Sequence, residues 1–285
     1  MSLDRVLHAL AGGKPYFPAG LFGIQSAADR YVYMQATVHL LAQIRAGQPL
    51  RILEVGSWVG ASALTWLDAL DRYAGGQGEV WCCDLWEPYL EVPPERAAQA
   101  LGPLPAEDVG LAMDVAAKAG VAQALFDYNI ARAGGRGRVV QLKGDSARVL
   151  AGLGAEQFDL VYIDGDHRLD AVRRDIAEAR RLVRRGGVVS GDDLEHQLHE
   201  VDKGFARAQT TADWLVDPQS GQGYHPGVTV AVAEAFGGPV SAYACYWLMR
   251  RVGEAFQPVD LAGRPVHVPP HVPVEGDPAR LRATI

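Results

Sequence analysis

The segment RILEVGSWVGAS, residues 51–62, gives the strongest indication of the fold. Its apolar run at 52–55 predicts a short buried strand of a parallel sheet. Gly56 and Gly60 follow, and leucines then recur at helical spacing. The segment is therefore predicted to form a strand, a glycine-rich turn and the beginning of a helix.

The spacing of the glycines bears on the kind of ligand. A strand, turn and helix of this kind open many nucleotide-binding sheets. A dinucleotide fingerprint would place glycines at 56, 58 and 61, but Trp58 and Ala61 stand at two of these positions. The pattern Glu54-x-Gly56-x-x-x-Gly60 instead resembles motif I of the class I S-adenosylmethionine (SAM)-dependent methyltransferases. The resemblance implies SAM as the ligand; the alternative is that the glycines serve only the geometry of the turn.

Composition narrows the class of protein. The chain has 285 residues, of which 48% are hydrophobic and 21% charged, which suits one large globular domain. A formal net charge of −7 argues against a nucleic-acid-binding protein. Three cysteines give no disulfide framework, no signal peptide is evident, and no apolar run reaches membrane-spanning length. We therefore expect a cytoplasmic protein without nucleic-acid or membrane partners.

Hydrophobic patterning predicts an α/β fold with a Rossmann-like, doubly wound and mostly parallel sheet of seven strands. Beyond the first strand, the predicted strands lie at 80–83, 139–142, 160–163 and 188–190, with a closing strand pair within 242–252. Gly186 and Gly187 are predicted to end the helix that precedes the fifth strand.

The chain is predicted to have three parts. Residues 1–48 form an N-terminal helical cap, residues 49–256 form the SAM-binding domain, and residues 257–285 form a proline-rich tail. The domain is predicted to contain two insertions, at about 87–133 and 195–227. The first insertion is expected to form a wall of the substrate site.

Acidic residues follow the predicted strands, at the edge where ligands bind in a doubly wound sheet. Asp84 ends the second strand, where a carboxylate can accept hydrogen bonds from ribose hydroxyls. Asp164 follows the fourth strand, while Asp192 and Asp193 follow the fifth, its expected neighbour. Three converging carboxylates repel one another unless a cation joins them, and all-oxygen ligation suits Mg²⁺ or Mn²⁺. The alternative is that these acids only cap helices and turns.

Further segments extend the family resemblance over most of residues 50–251. They occur in order at 52–57, 126–130, 143–146, 162–167 and 225–228. Together they resemble the class I enzymes related to macrocin O-methyltransferase and other metal-dependent sugar O-methyltransferases. Catechol-type O-methyltransferases share the metal arrangement.

The resemblance assigns residues to two ligands. The implied metal ligands are Asp164, Asp192 and Asp193. The implied positions around SAM are Glu54, Gly56, Ser57, Gly60, Ser62, Asp84, Asp145, Ser146 and Asp164. Ser146 is also a candidate cap of the helix that follows the third strand.

Two adjacent residues, Asp166 and His167, compete for the role of catalytic base. Asp166 matches the proposed base of the sugar enzymes, whereas catechol-type enzymes have a lysine where this chain has His167. A histidine has a pKa nearer the working pH, but a bound metal removes the need for a strong base. We therefore favour Asp166 as the base and expect His167 to orient substrate or cofactor.

The sequence thus predicts a SAM- and divalent-metal-dependent O-methyltransferase that acts on a hydroxyl of a sugar, glycan or secondary metabolite. The expected partner is a small-molecule or glycan acceptor, and a homo-oligomer is compatible with the sequence. Two alternatives are an NAD(P)-dependent oxidoreductase on the same sheet and a non-catalytic module that binds SAM or metal.

Overall fold

The computed structural model describes residues 12–17, 29–88, 109–265 and 267–272. Other parts of the predicted cap, first insertion and tail lie outside the described residues, at 1–11, 18–28, 89–108, 266 and 273–285. No helix within the described ranges is long and apolar enough to cross a membrane.

The strands of the described residues form one large sheet and one small ribbon. They are β1 (Leu50–Val55), β2 (Gly78–Asp84), β3 (Val139–Lys143), β4 (Phe158–Ile163), β5 (Val183–Gly191), β6 (Leu215–Val216), β7 (Gly223–Tyr224), β8 (Ser241–Tyr243), β9 (Tyr246–Val252) and β10 (Ala255–Pro258). The ribbon consists of β6 and β7 and belongs to the predicted second insertion.

Helices cover the sheet. They are α1 (Asp29–Arg45), α2 (Ala61–Tyr73), α3 (Val109–Lys118), α4 (Val121–Arg132), α5 (Ser146–Ala151), α6 (Leu169–Leu182), α7 (Lys203–Ala208) and α8 (Pro226–Phe236). From residue 109 onward the first insertion is mainly helical, and Gly120 separates α3 from α4 in a left-handed conformation.

The large sheet confirms the predicted Rossmann-like class. Its strand order is β10-β9-β5-β4-β1-β2-β3, which makes seven strands, and β8 adds an eighth by pairing with β9. Strands β1 to β5 are mutually parallel, whereas β9 runs antiparallel to β5. The eighth strand arises because β8 and β10 pair with different parts of β9.

The register aligns the ends of the central strands. Val55 of β1 pairs with both Cys83 of β2 and Ile163 of β4, and Ile163 pairs with Gly191 of β5. The residues that follow these strands therefore emerge side by side at one edge of the sheet, which is where a doubly wound sheet binds its ligands.

Helix α1 is part of the same core as the sheet. Tyr31, Met34 and Leu41 are fully buried and belong to the hydrophobic cluster that contains Ile52 of β1 and Trp66 of α2. The described part of the predicted cap is therefore packed into the domain, and its first turn lies at the ligand edge of the sheet.

One local prediction is wrong. Gly186 and Gly187 do not end a helix, because α6 ends at Leu182 and both glycines lie within β5. A Cβ on Gly187 would lie 2.6 Å from the carbonyl oxygen of Asp159. The glycine is required there because neighbouring strands β4 and β5 approach closely where their register shifts.

Candidate active site

The glycine loop between β1 and α2 has the expected shape, but its glycines are required by the protein itself. Gly56 has φ of 86°, and a Cβ there would overlap the carbonyl oxygen of Asp164. Gly60 has φ of 91°, and a Cβ there would lie 3.1 Å from the Phe126 ring. Left-handed backbone and close packing therefore account for both glycines without a ligand.

Asp84 fixes the glycine loop to the end of β2. Its Oδ2 accepts hydrogen bonds from the backbone N–H groups of Ser57 and Trp58, both at 2.8 Å, and its Oδ1 accepts one from the N–H of Trp86 at 2.6 Å. Burial raises the pKa of Asp84, and these backbone bonds oppose that rise. A carboxylate offers about four acceptor positions, so little capacity is left for ribose hydroxyls in this conformation.

Glu54 lies beneath the loop and is completely buried. Its Oε2 accepts a hydrogen bond from the Trp66 indole at 2.9 Å. Burial raises the pKa of Glu54 to about 7, although the neighbouring polar groups of Ser57, Ser62 and Trp66 act in the opposite direction. Glu54 therefore supports the loop from inside, together with the two buried serines predicted to lie near SAM.

The remaining predicted SAM positions lie at the start of α5. Asp145, and not Ser146, is the N-cap, because its side chain accepts a hydrogen bond from the backbone N–H of Arg148. Ser146 is the first helical residue, and its side chain opposes the rise that burial causes in the pKa of Asp175 of α6. The prediction that Ser146 caps this helix is therefore wrong by one residue.

The three predicted metal ligands do converge. Asp164, Asp192 and Asp193 each offer a carboxylate oxygen, and these oxygens lie within 4.8 Å of one another. We refer to these three residues as the carboxylate cluster. Asp192 is 1% exposed, and Asp193 has φ of 62°, a left-handed conformation that aspartate adopts at a small energetic cost.

Arg30, in the first turn of α1, reaches this cluster. Its Nη1 donates to Asp192 Oδ2 and to Asp164 Oδ2, the latter at 3.3 Å. Its Nη2 donates to the Tyr31 hydroxyl at 3.0 Å, and the guanidinium lies 4.8 Å from the centre of the Tyr31 ring. A positive charge therefore already lies between two of the three carboxylates.

Two carboxylates of the cluster, those of Asp164 and Asp193, have opposite pKa shifts. Burial raises the pKa of Asp164 well above its usual value, with Asp192 and Asp193 adding to the rise and Arg30 opposing it. Burial would also raise the pKa of Asp193, but His167 and His225 together bring it below its usual value. Arg30 and His167 lower the pKa of both carboxylates, and His225 adds to the lowering at Asp193.

The two candidate bases point to different partners. His167 Nε2 lies 3.1 Å from Asp193 Oδ2, and its Nδ1 lies 2.9 Å from Asp213 Oδ1. The Asp166 carboxylate instead pairs with the Arg168 guanidinium, at 2.6 Å from Oδ2 to Nη2. The structure thus brings His167, and not Asp166, into contact with the carboxylate cluster.

Sequence reasoning missed several residues of this site. Arg30 lies more than 130 positions from its carboxylate partners, and no local motif marks it. His225, Glu195 and Asp213 lie in or next to the second insertion, which lacks clear periodicity. The one available signal was His225 immediately before a proline and glycine that begin α8.

The carboxylate cluster fits a hard divalent cation in its donor chemistry. Three carboxylates in one place suit Mg²⁺ or Mn²⁺, and the guanidinium between two of them shows that the cluster is built to hold positive charge. The ligands of such a cation would be Asp164, Asp192 and Asp193, with Arg30 as its competitor.

Comparison with known proteins identifies the class. The family model described as a methyltransferase domain matches residues 53–194, which include the glycine loop and all three residues of the carboxylate cluster. With the sheet order described above, the chain is a class I SAM-dependent methyltransferase. This identification argues against the oxidoreductase alternative. None of the curated proteins compared with the chain matches it.

Three solved structures illustrate the similarity. Cofactor-bound Rv0187 from MTB is 23% identical, with 87% of this chain and 89% of that chain covered and a TM-score of 0.45. CalS11, a calicheamicin methyltransferase, is 17% identical, with 87% and 90% covered and a TM-score of 0.49. An O-methyltransferase from Bacillus cereus in complex with SAH is 19% identical, with 82% and 76% covered and a TM-score of 0.43.

Proposed function

We propose that this methyltransferase transfers the SAM methyl group to a hydroxyl of a sugar, glycan or secondary metabolite, and that it requires a divalent cation. The observation that carries the proposal is the convergence of Asp164, Asp192 and Asp193 within 4.8 Å at the ligand edge of the sheet. Gly56 joins this cluster to the glycine loop, since its backbone packs against Asp164.

In this proposal, different residues of the chain would bind SAM and the divalent cation. The glycine loop, which is held by Asp84 and Glu54, would position SAM at the ends of β1 and β2. Asp164, Asp192 and Asp193 would hold Mg²⁺ or Mn²⁺. A divalent cation in such a site binds acceptor oxygens and lowers the pKa of a coordinated hydroxyl. The acceptor oxygen held in this way would attack the sulfonium methyl in line, with SAH as the leaving group, helped mainly by positioning.

Removal of the acceptor proton falls to Asp166 in this proposal. Its carboxylate accepts hydrogen bonds from Nε and Nη2 of Arg168, whose side chain is 46% exposed, and from the backbone N–H of Arg168. The exposed guanidinium can turn to solvent and free one carboxylate oxygen for an acceptor hydroxyl, while the backbone bond keeps the carboxylate in place. His167 is bonded on both ring nitrogens, which suits a residue that is held in place.

Steady-state kinetics of two variants test the assignment of the base. Asp166→Asn is expected to lower kcat by about 10²–10⁴-fold, because general-base help is lost, while SAM affinity measured by calorimetry stays unchanged. Methyl transfer would be followed as SAH release with vicinal-diol acceptors such as catechol and nucleotide sugars. If Asp166→Asn keeps wild-type turnover while His167→Gln loses both turnover and the acidic limb of the pH profile, the base is His167.

A further inference from the structure

A second group of potential metal ligands adjoins the carboxylate cluster and shares Asp193 with it. His167, Asp193 and His225 each offer one ligand atom, and these three atoms lie within 4.8 Å of one another. The two imidazole rings have centroids 4.3 Å apart and meet edge to face. We refer to these three residues as the histidine cluster.

Each histidine of this cluster is oriented by a carboxylate. His167 Nδ1 lies 2.9 Å from Asp213 Oδ1. His225 Nδ1 lies 3.1 Å from both carboxylate oxygens of Glu195, and the backbone N–H of His225 also donates to Glu195. A carboxylate on one ring nitrogen fixes the tautomer that presents the other nitrogen as a ligand. This second-layer arrangement is the usual one for metal-binding histidines.

Charge and burial are consistent with such a site. Arg30 donates hydrogen bonds to Asp164 and Asp192, whereas the carboxylate of Asp193 lies 3.1 Å from His167 Nε2. His225 is only 4% exposed, and 17% of the side chains of His167 and Asp193 remains accessible. The cluster is therefore largely enclosed by protein but can still be reached from one side.

We infer that Asp193, His167 and His225 form a second cation position, which is specific for a first-row transition metal. Two imidazole nitrogens and one carboxylate oxygen favour ions such as Mn²⁺, Co²⁺ or Zn²⁺, whereas Mg²⁺ prefers oxygen ligands alone. Asp193 has two carboxylate oxygens and can serve both positions. With His167 as a ligand, Asp166 is the residue on this loop that is left to accept a proton.

Cobalt binding tests this inference without any methyl acceptor. The full-length protein would be stripped with EDTA, dialysed and titrated with Co²⁺, with visible absorption and calorimetry as readouts. We expect Co²⁺ bands characteristic of mixed nitrogen and oxygen ligation, which an excess of Mg²⁺ does not remove. His225→Gln should weaken Co²⁺ binding by at least about 100-fold, and Glu195→Gln by about 10–100-fold.

Two control variants separate this position from the carboxylate cluster. His199→Gln removes an exposed histidine that is not a member of the histidine cluster and should leave Co²⁺ binding unchanged. Asp164→Asn removes a ligand of the carboxylate cluster that is not a member of the histidine cluster, and it should leave the Co²⁺ bands in place. Circular dichroism would confirm that each variant is folded, and Glu195→Gln provides the test if His225→Gln does not fold.

The inference is overturned if His225→Gln and Glu195→Gln bind Co²⁺ as tightly as the wild type, or if Asp164→Asn abolishes the bands. The histidines would then form only an ion-pair network. Failure of methyl transfer with every acceptor, by contrast, would count against the proposed function alone, because Co²⁺ binding that depends on the histidines would still be observed.

Discussion

On the glycine-loop side of the site, three backbone N–H groups donate hydrogen bonds to the half-buried carboxylate of Asp84. On the other side, the side chain of Arg30 donates to the buried carboxylate of Asp192. Backbone donors are fixed by the fold and cannot leave without disrupting the loop. A guanidinium on a long side chain can move away when another cation arrives. The first side is thus a rigid support, and the second can exchange its counter-charge.

The largest expected effect concerns the exchangeable side. EDTA should abolish methyl transfer, and Mg²⁺ or Mn²⁺ should restore it. Asp192→Asn should likewise eliminate turnover because a buried ligand is lost, while calorimetry still detects SAM binding to the folded protein. Asp71→Asn, which changes an exposed aspartate paired with Arg138, is the matched control and should behave as the wild type. Full activity after exhaustive chelation would rule out the metal requirement.

Removal of Arg30 should reveal the exchange between this guanidinium and a bound cation as a change in the free energy of unfolding. Without a bound metal, Arg30→Gln is expected to lower the free energy of unfolding by about 3–5 kcal/mol, because it leaves buried carboxylates uncompensated. Addition of Mg²⁺ should recover much of that loss, since a ligand that binds only the folded state stabilises it. Urea unfolding with EDTA or with Mg²⁺ measures both effects.

Arg45→Gln is the matched control for this experiment. Arg45 lies on the same helix and pairs at 3.0 Å with a fully buried aspartate, Asp159, far along the sheet from the carboxylate cluster. Its loss should also destabilise the protein, but Mg²⁺ should not reverse the effect. Equal responses of the two variants to Mg²⁺ would mean that Arg30 is a permanent structural counter-ion.

On the rigid side, Glu54 should make the free energy of unfolding depend on pH. The pKa of Glu54 rises from its usual 4.5 to about 7 on burial, and one pKa unit corresponds to about 1.4 kcal/mol. The stabilising contribution of the protonated group is fully present below pH 4.5 and is lost as pH rises through 7. Relative to Glu54→Gln, the wild type should therefore lose about 3 kcal/mol of stability between pH 4.5 and 8.

Urea unfolding of both proteins across this range measures the difference. Glu79→Gln is a suitable control, because Glu79 is partly exposed and paired with Arg51. Its stability should follow the wild-type curve. Parallel curves for the wild type and Glu54→Gln would show that Glu54 remains ionised in the folded protein, and that the loop does not enclose a neutral carboxyl group.

Sequence patterns revealed the rigid side better than the exchangeable one. The glycine loop, Asp84 and the carboxylate cluster could be predicted because each follows a strand, and strand order alone brings strand ends together. Arg30 could not, because its contact depends on how α1 packs across the sheet. His225, Glu195 and Asp213 could not, because their segment has no period from which a position in space follows.

The glycines illustrate a second limit of sequence reasoning. The pattern Gly56 to Gly60 identified the correct class, yet both residues are explained by left-handed backbone and close packing against Asp164 and Phe126. The pattern is therefore a signature of the loop's shape, and the ligand follows only from the family that uses this shape. The Gly186-Gly187 pair shows the opposite error. Its sequence pattern predicts the end of a helix, but both glycines lie within strand β5.

The smallest effect is expected for Asp84→Asn, which tests whether Asp84 contacts SAM or only supports the glycine loop. Asp84→Asn keeps one carbonyl acceptor but replaces the other oxygen with an N–H₂ group, which cannot accept the N–H bonds it would face. Loss of charge-assisted bonds should cost about 1.5–3 kcal/mol each.

If Asp84 only supports the loop, the cost should appear in the free energy of unfolding, and SAM should bind the folded variant with nearly unchanged enthalpy. If Asp84 also accepts ribose hydroxyls, SAM affinity should fall, whereas the affinity for methionine, which lacks ribose, should not. Calorimetry with SAM and methionine, beside urea unfolding, distinguishes the two roles. Unchanged stability and unchanged SAM affinity would remove Asp84 from both.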